Sequence, residues 1–137
     1  MKKLFVLMLA AAALCAYAVL GTAATVEVPG DMVLAAPEGV TAKQAPVPFS
    51  HESHSAVECT SCHHTWDGEG EIQSCMAEGC HDMIEAKSPQ DRRDIAFYYN
   101  AFHDRMAEPS CVGCHNNLKK AGKGTGPTGC KDCHTGS

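Results

Sequence analysis

Apolar and polar residues alternate in short runs along most of this chain, and one stretch departs from that texture. Leu4 to Leu14 is apolar behind Lys2 and Lys3, and small residues follow through Ala24. A charged n-region, an apolar h-region and a small-residue cut site are the layout of a secretory signal. Cleavage is expected after Ala24, with a cut after Ala18 in Ala16-Tyr17-Ala18 as the competitor. The apolar stretch is almost long enough to span a bilayer, so an uncleaved anchor is the other reading. Cys15 follows the bulky Leu14, which suits lipoprotein processing poorly, and it is expected to leave with the signal. Further on, Val26, Val28, Val33 and Val47 suggest short extended pieces. The most helical segment opens at Ser88, with Pro89 at its first position and Asp91 at N3, close to a capping box. Ile95, Tyr98, Tyr99, Phe102 and Met106 then recur at helical spacing. Asp67-Gly68-Glu69-Gly70 is a turn. Gly122 to Gly129 is a glycine-rich loop, and without a preceding strand its GxG spacing is no phosphate loop.

Length and charge narrow the picture. The chain has 137 residues, which bounds it to one small domain: residues 1–24 as signal and 25–137 as a single mature domain. Without Lys2 and Lys3, 9 basic side chains face 16 acidic ones, near −7. That balance argues against nucleic acid or an anionic membrane surface as partner, and no stable membrane insertion is expected after signal cleavage. Scattered apolar residues and frequent Gly and Pro leave little for a core, so a chain this small needs a staple.

Cysteine and histidine supply it. Eight of the nine cysteines fall into four units, each closing with a histidine: Cys59-Thr-Ser-Cys62-His63, Cys75-Met-Ala-Glu-Gly-Cys80-His81, Cys111-Val-Gly-Cys114-His115 and Cys130-Lys-Asp-Cys133-His134. Cys-x-x-Cys-His is the attachment signature of c-type haem. Residues i and i+3 share one side of a helical turn, so both thiols reach one porphyrin edge while the adjacent histidine swings under the ring to the iron. In the second unit two extra residues must loop out, and Gly79 gives the backbone freedom to close. Disulfides suit an exported protein but do not explain a histidine after every second cysteine. Zinc is the stronger rival, yet structural zinc sites pool pairs of Cys-x-x-Cys rather than repeat one Cys-x-x-Cys-His unit. A thioredoxin-like pair would need one motif in a strand–helix setting. Four covalent haem c groups are the expectation.

The histidine count then bears on ligation. His63, His81, His115 and His134 sit inside the motifs; His51, His54, His64 and His103 remain for four distal positions. Met32, Met76, Met83 and Met106 are the alternative sixth ligands, but the matched number favours two histidines at every iron. A methionine ligand raises the reduction potential, so paired histidines predict low-potential haems. His51 and His54 lie three apart and should sit between two haems. His64 follows His63 directly, and successive side chains diverge, so it should serve a different haem. Phe49 and Trp66 flank the distal histidines. Phe49 is a candidate for packing between macrocycles, and Trp66 is as compatible with filling a surface loop.

These residues resemble the tetrahaem class III cytochromes c, the cytochrome c3 family of sulfate-reducing bacteria. The resemblance runs from Pro48 to His134 and rests on Phe49-x-His51-x-x-His54, Cys59-x-x-Cys62-His63-His64, the longer Cys75-x4-Cys80-His81, Tyr98-Tyr99-x-x-x-His103-Asp104 and Cys111-Val-Gly-Cys114-His115. It implies a mainly α fold with little regular structure, in which short helices and a minor N-terminal β hairpin wrap around four haems. It also implies distal partners: His51 with His63, His64 with His81, His54 with His115 and His103 with His134. The short fourth unit departs from the Cys-x4-Cys-His of many members, which should change a local turn and not ligation.

The resemblance further implies a periplasmic electron carrier, not an enzyme, working in sulfate respiration between a hydrogenase or another cytochrome and membrane-bound redox complexes. Two histidines per iron leave no open position for a substrate; metal reduction by low-potential haems would be adventitious. The rival is a multihaem reductase, which needs a five-coordinate haem. Better-known members are lysine-rich, whereas this chain is acidic. From Glu52 to Asp94 ten acids face three bases, while from Pro109 onward Lys119, Lys120, Lys123 and Lys131 face Asp132 alone. Those four lysines are the candidate docking patch for an acidic partner.

Overall fold

The computed structural model describes residues 26–136; the expected signal sequence and its cleavage site lie outside them. Two three-residue strands, β1 (Met32–Leu34) and β2 (Val47–Phe49), pair antiparallel with Met32 opposite Phe49 and Leu34 opposite Val47. Alternate residues of a strand face one side, so Met32, Leu34, Val47 and Phe49 share the partly covered face while Val33 stays 67% exposed. Pro48 is accommodated because both strands are edges. Val26 and Val28, expected to be extended, join no strand.

Among the described residues, regular helix is confined to the second half: α1 (Tyr98–His103), α2 (Cys111–Lys120) and α3 (Cys130–Cys133). Single 3-10 turns occupy Glu52–His54, Cys59–Ser61 and Asp91–Arg93. The segment expected to be one helix from Ser88 is therefore two pieces. Its cap forms: the Asp91 carboxylate accepts the Ser88 N–H at 2.9 Å and the Ser88 hydroxyl accepts the Asp91 N–H at 3.1 Å. The helix then stops at Asp94, which turns extended and draws the Ala96 N–H to its own carboxylate at 2.9 Å. A local bond of this kind competes with the helical ladder. Met83 completes the break by pairing with Phe97 in a parallel bridge, its carbonyl accepting the Tyr98 N–H at 3.0 Å. Ile95 and Met106, placed on an apolar helical stripe by their spacing, are 74% and 83% exposed.

α1 lies against α2, and Gly113 of α2 closely approaches the loop between them, where a Cβ would overlap the Ala107 carbonyl oxygen and lie 2.8 Å from that of Asp104. Ser110, 2% exposed, caps α2: its hydroxyl accepts the Gly113 N–H at 2.9 Å and donates to the Asp104 carbonyl. Among the described residues no apolar side chain is buried by polypeptide alone. A fold without an apolar core of its own must draw its burial from elsewhere. No helix among the described residues is long and apolar enough to cross a membrane.

Candidate haem sites

Each cysteine unit is a turn closed onto its first cysteine. In the first unit the His63 N–H donates to the Cys59 carbonyl at 2.9 Å, and in the fourth His134 does the same to Cys130 at 2.9 Å. The second closes the same way over a longer path, His81 N–H to Cys75 carbonyl at 3.0 Å, with Gly79 at φ +81°. The two extra residues thus loop out at a left-handed glycine, as the spacing required. The third unit lies in the first turns of α2. None of these eight cysteines is joined to another in a disulfide. Burial pushes the Cys111 thiol up to about 11, helped by the nearby Cys62 and Cys75. Burial also raises Cys62 and Cys75. Cys133 rises through burial and then the Asp132 charge beside it.

Six of the eight histidines come in facing pairs. His54 and His115 have ring centres 6.1 Å apart and planes 8° from parallel; His103 and His134 are 6.1 Å apart at 6°. His64 and His81 lie 6.0 Å apart at 64°. Burial, and after it the charge on His51, lowers the His63 pKa. Burial likewise lowers His103, against the Tyr99 carbonyl, with His134 adding to the fall. Metal–imidazole bonds are about 2 Å long and a ring centre sits roughly 1 Å behind its nitrogen. Two imidazoles on opposite sides of one metal therefore have centres about 6 Å apart, which is the spacing of the three measured pairs. No three His, Cys, Asp or Glu side chains converge on one point among the described residues, whereas a tetrahedral zinc site needs four ligands around one centre.

A second feature escaped sequence reasoning. Five of the rings hold a backbone carbonyl at Nδ1: His54 on Ser50 (3.0 Å), His81 on Ile95 (2.5 Å), His103 on Tyr99 (3.1 Å), His115 on Pro127 (2.7 Å) and His134 on Ala45 (2.5 Å). A carbonyl only accepts, so Nδ1 carries the proton and Nε2 is left with its lone pair for a metal. The His54 and His103 contacts run to residue i−4 and could have been guessed from spacing; those of His81, His115 and His134 are long-range. The Nδ1 of His51 is buried without a partner.

Aromatic side chains frame the pairs. Phe49 sits edge-on to His51 and stacked on His54, both at 4.9 Å. Tyr99 stacks on His103 at 4.0 Å. Trp66, left undecided by the sequence, lines the cleft that also contains His64, Cys75, His81 and Ile95, and its indole N–H donates to the Glu69 carbonyl at 2.8 Å.

Comparison with known proteins agrees with this architecture. The model of the class III cytochrome c family matches residues 29–134. The chain is 49% identical over 109 residues to a cytochrome c3 of Desulfovibrio desulfuricans, covering 80% of this chain and 97% of the relative. It is 50% identical over 109 residues to one of Maridesulfovibrio salexigens, covering 80% and 96%. Among solved structures, the di-tetrahaem cytochrome c3 of Desulfovibrio gigas superposes with a TM-score of 0.67 at 39% identity, over 78% of this chain and 96% of that one.

Proposed function

The chain belongs to the class III cytochrome c family, a multihaem electron-transfer protein with four covalently attached haem c groups, and we propose that two histidines ligate each iron. The supporting observation is the set of three facing ring pairs, His64 with His81, His54 with His115 and His103 with His134; by the same pattern His51 would complete the pair with His63. Cys59 and Cys62, Cys75 and Cys80, Cys111 and Cys114, and Cys130 and Cys133 would hold the four macrocycles. Bound haem supplies a one-electron ferric/ferrous couple. The residues decide how that couple behaves. Paired imidazoles leave no axial position for a substrate, so the chain is a carrier, and reduction of metal ions in vitro would be adventitious. Carbonyls at Nδ1 make the imidazoles better electron donors, which favours the ferric form and keeps potentials low.

In this reading residues 25–137 are one exported, periplasmic domain that takes electrons from a hydrogenase or another cytochrome and passes them to membrane-bound redox complexes of sulfate respiration. Lys119, Lys120, Lys123 and Lys131 are all exposed around the fourth unit and would steer an acidic partner. Lys119 also donates to the Thr128 hydroxyl at 3.3 Å.

Electron paramagnetic resonance of the ferric protein, with carbon monoxide added to the ferrous form, tests the ligation. Four low-spin signals and no carbon monoxide binding are expected; a high-spin haem would favour the reductase. His54→Met should raise one haem potential by on the order of 0.1 V, within the ~0.8 V range that axial ligands span. Reduction by hydrogenase should slow with salt and with charge reversal at Lys119, Lys120 and Lys123; insensitivity to both would end the docking idea.

A further inference from the structure

The loop from Gly122 to Gly129 joins the third cysteine unit to the fourth, and three successive residues of it touch His115. The Thr125 hydroxyl donates to the His115 carbonyl at 3.1 Å, and the Pro127 carbonyl accepts from its Nδ1 at 2.7 Å. Between them lies Gly126. A Cβ on it would stand 2.6 Å from His115 Cε1, 3.1 Å from Nε2 and 3.2 Å from Nδ1. Backbone torsion does not demand glycine there. The left-handed glycines are Gly39, Gly68, Gly70, Gly79 and Gly122, and Gly126 is not among them. Its neighbour Gly124, also outside that set, has open space where a Cβ would go. The need for glycine at 126 is therefore steric, and the atom that imposes it belongs to the imidazole.

We propose that Gly126 is a positioning residue for the third haem, its bare Cα letting the 122–129 loop lie against the His115 ring and hold its plane and its Nδ1 contact. A methyl group at 126 must push loop and ring apart, because the 2.6 Å approach to Cε1 leaves no room for it. Separation stretches the hydrogen bond to Pro127, and an imidazole without that acceptor is a poorer electron donor to its metal. The ring plane relative to His54, now 8° from parallel, moves with it. The loop ends at Gly129, the cap of the turn carrying Cys130, so the third ligand is braced by the segment that delivers the fourth attachment site.

This inference rests on His115 ligating the third iron. The test compares the full four-haem protein with its Gly126→Ala, Gly124→Ala and Thr125→Val variants, reading the low-spin resonance signals, the haem-by-haem potentials and haem attachment at each motif by peptide mass. Gly126→Ala should alter one signal, that of the haem on Cys111 and Cys114, and raise its potential while the other three hold. Thr125→Val should act in the same direction more weakly, and Gly124→Ala should match the parent. If Gly126→Ala is recovered only with haem missing from the third motif while Gly124→Ala is fully loaded, the proposal also stands. Unchanged spectra in Gly126→Ala, a change centred on another haem, or equal effects of the two glycine variants would overturn it. The parent separates the two failures: a third haem without two histidines there overturns the ligation, whereas two-histidine signals unmoved by Gly126→Ala overturn only the role of Gly126.

Discussion

The first two cysteine units and the last two carry the same chemistry on different backbones. Cys59 to Cys62 lies on a single 3-10 turn and Cys75 to Cys80 on an irregular loop, while Cys111 to Cys114 opens a ten-residue helix and Cys130 to Cys133 is a short helix. The common requirement is a turn that closes the histidine N–H onto the first cysteine carbonyl; a regular helix is optional. What separates the halves is tertiary support. α2 has a buried serine cap and a glycine pressed against the preceding loop, whereas the turn at Cys59 has no side-chain cap and no buried residue. Charge follows the same divide, acidic in the first half and basic around the fourth unit.

Substitutions can break or sharpen this contrast. The largest effect is expected at Gly113→Ala, where the added methyl meets backbone carbonyls that cannot swing away; overpacking of this kind should cost about 3 kcal/mol in denaturant unfolding. Its counterpart in the first half, Gly79→Ala, meets open space and is strained only by φ +81°, so it should cost about 1–2 kcal/mol. Equal costs at the two sites would show that the second half owes nothing to its tighter packing. Next comes Ser110→Ala, which removes the cap and strips the Asp104 carbonyl of its donor, at about 1–2 kcal/mol. Thr60→Ala, on the exposed first turn, should stay within ~0.5 kcal/mol.

The smallest effect concerns pH. The Ser88 hydroxyl, first, and the Lys87 and Ser88 backbone N–H groups hold the Asp91 carboxyl below its ordinary value of 3.8. A lowered carboxylate pKa adds stability above the ordinary value and loses it as pH falls through the lowered one. Asp91→Asn should therefore lower the melting temperature slightly near neutral pH, with the difference from the parent vanishing well below pH 3.8. A difference that persists in acid would mean that the cap acts through shape and not through charge.

The two serine caps show where sequence reading reaches its limit. Ser88 and Asp91 were recognisable as a cap and do form one, yet the helix they announce ends at Asp94 because Met83 pairs with the strand-like segment beyond. Ser110, unremarked in the sequence, starts the longest helix among the described residues, because the Asp104 carbonyl is folded against it. The β hairpin was implied only by the family resemblance, whereas the turn at Gly79 was legible, since it is local. Trp66 was not, because its place in the cleft depends on His81 and Ile95 arriving from further along the chain.

By itself the sequence determined the chemistry: which cysteines can anchor a haem and how many histidines stand ready. Covalent attachment needs its residues within a few positions of one another, and such contiguity is written in the chain. Only the tertiary structure decided at what spacing and angle the rings stand, which carbonyls point them and why Gly126 must be bare. Those contacts join residues as far apart as Ala45 and His134, and they depend on where the backbone passes, which residue spacing does not encode.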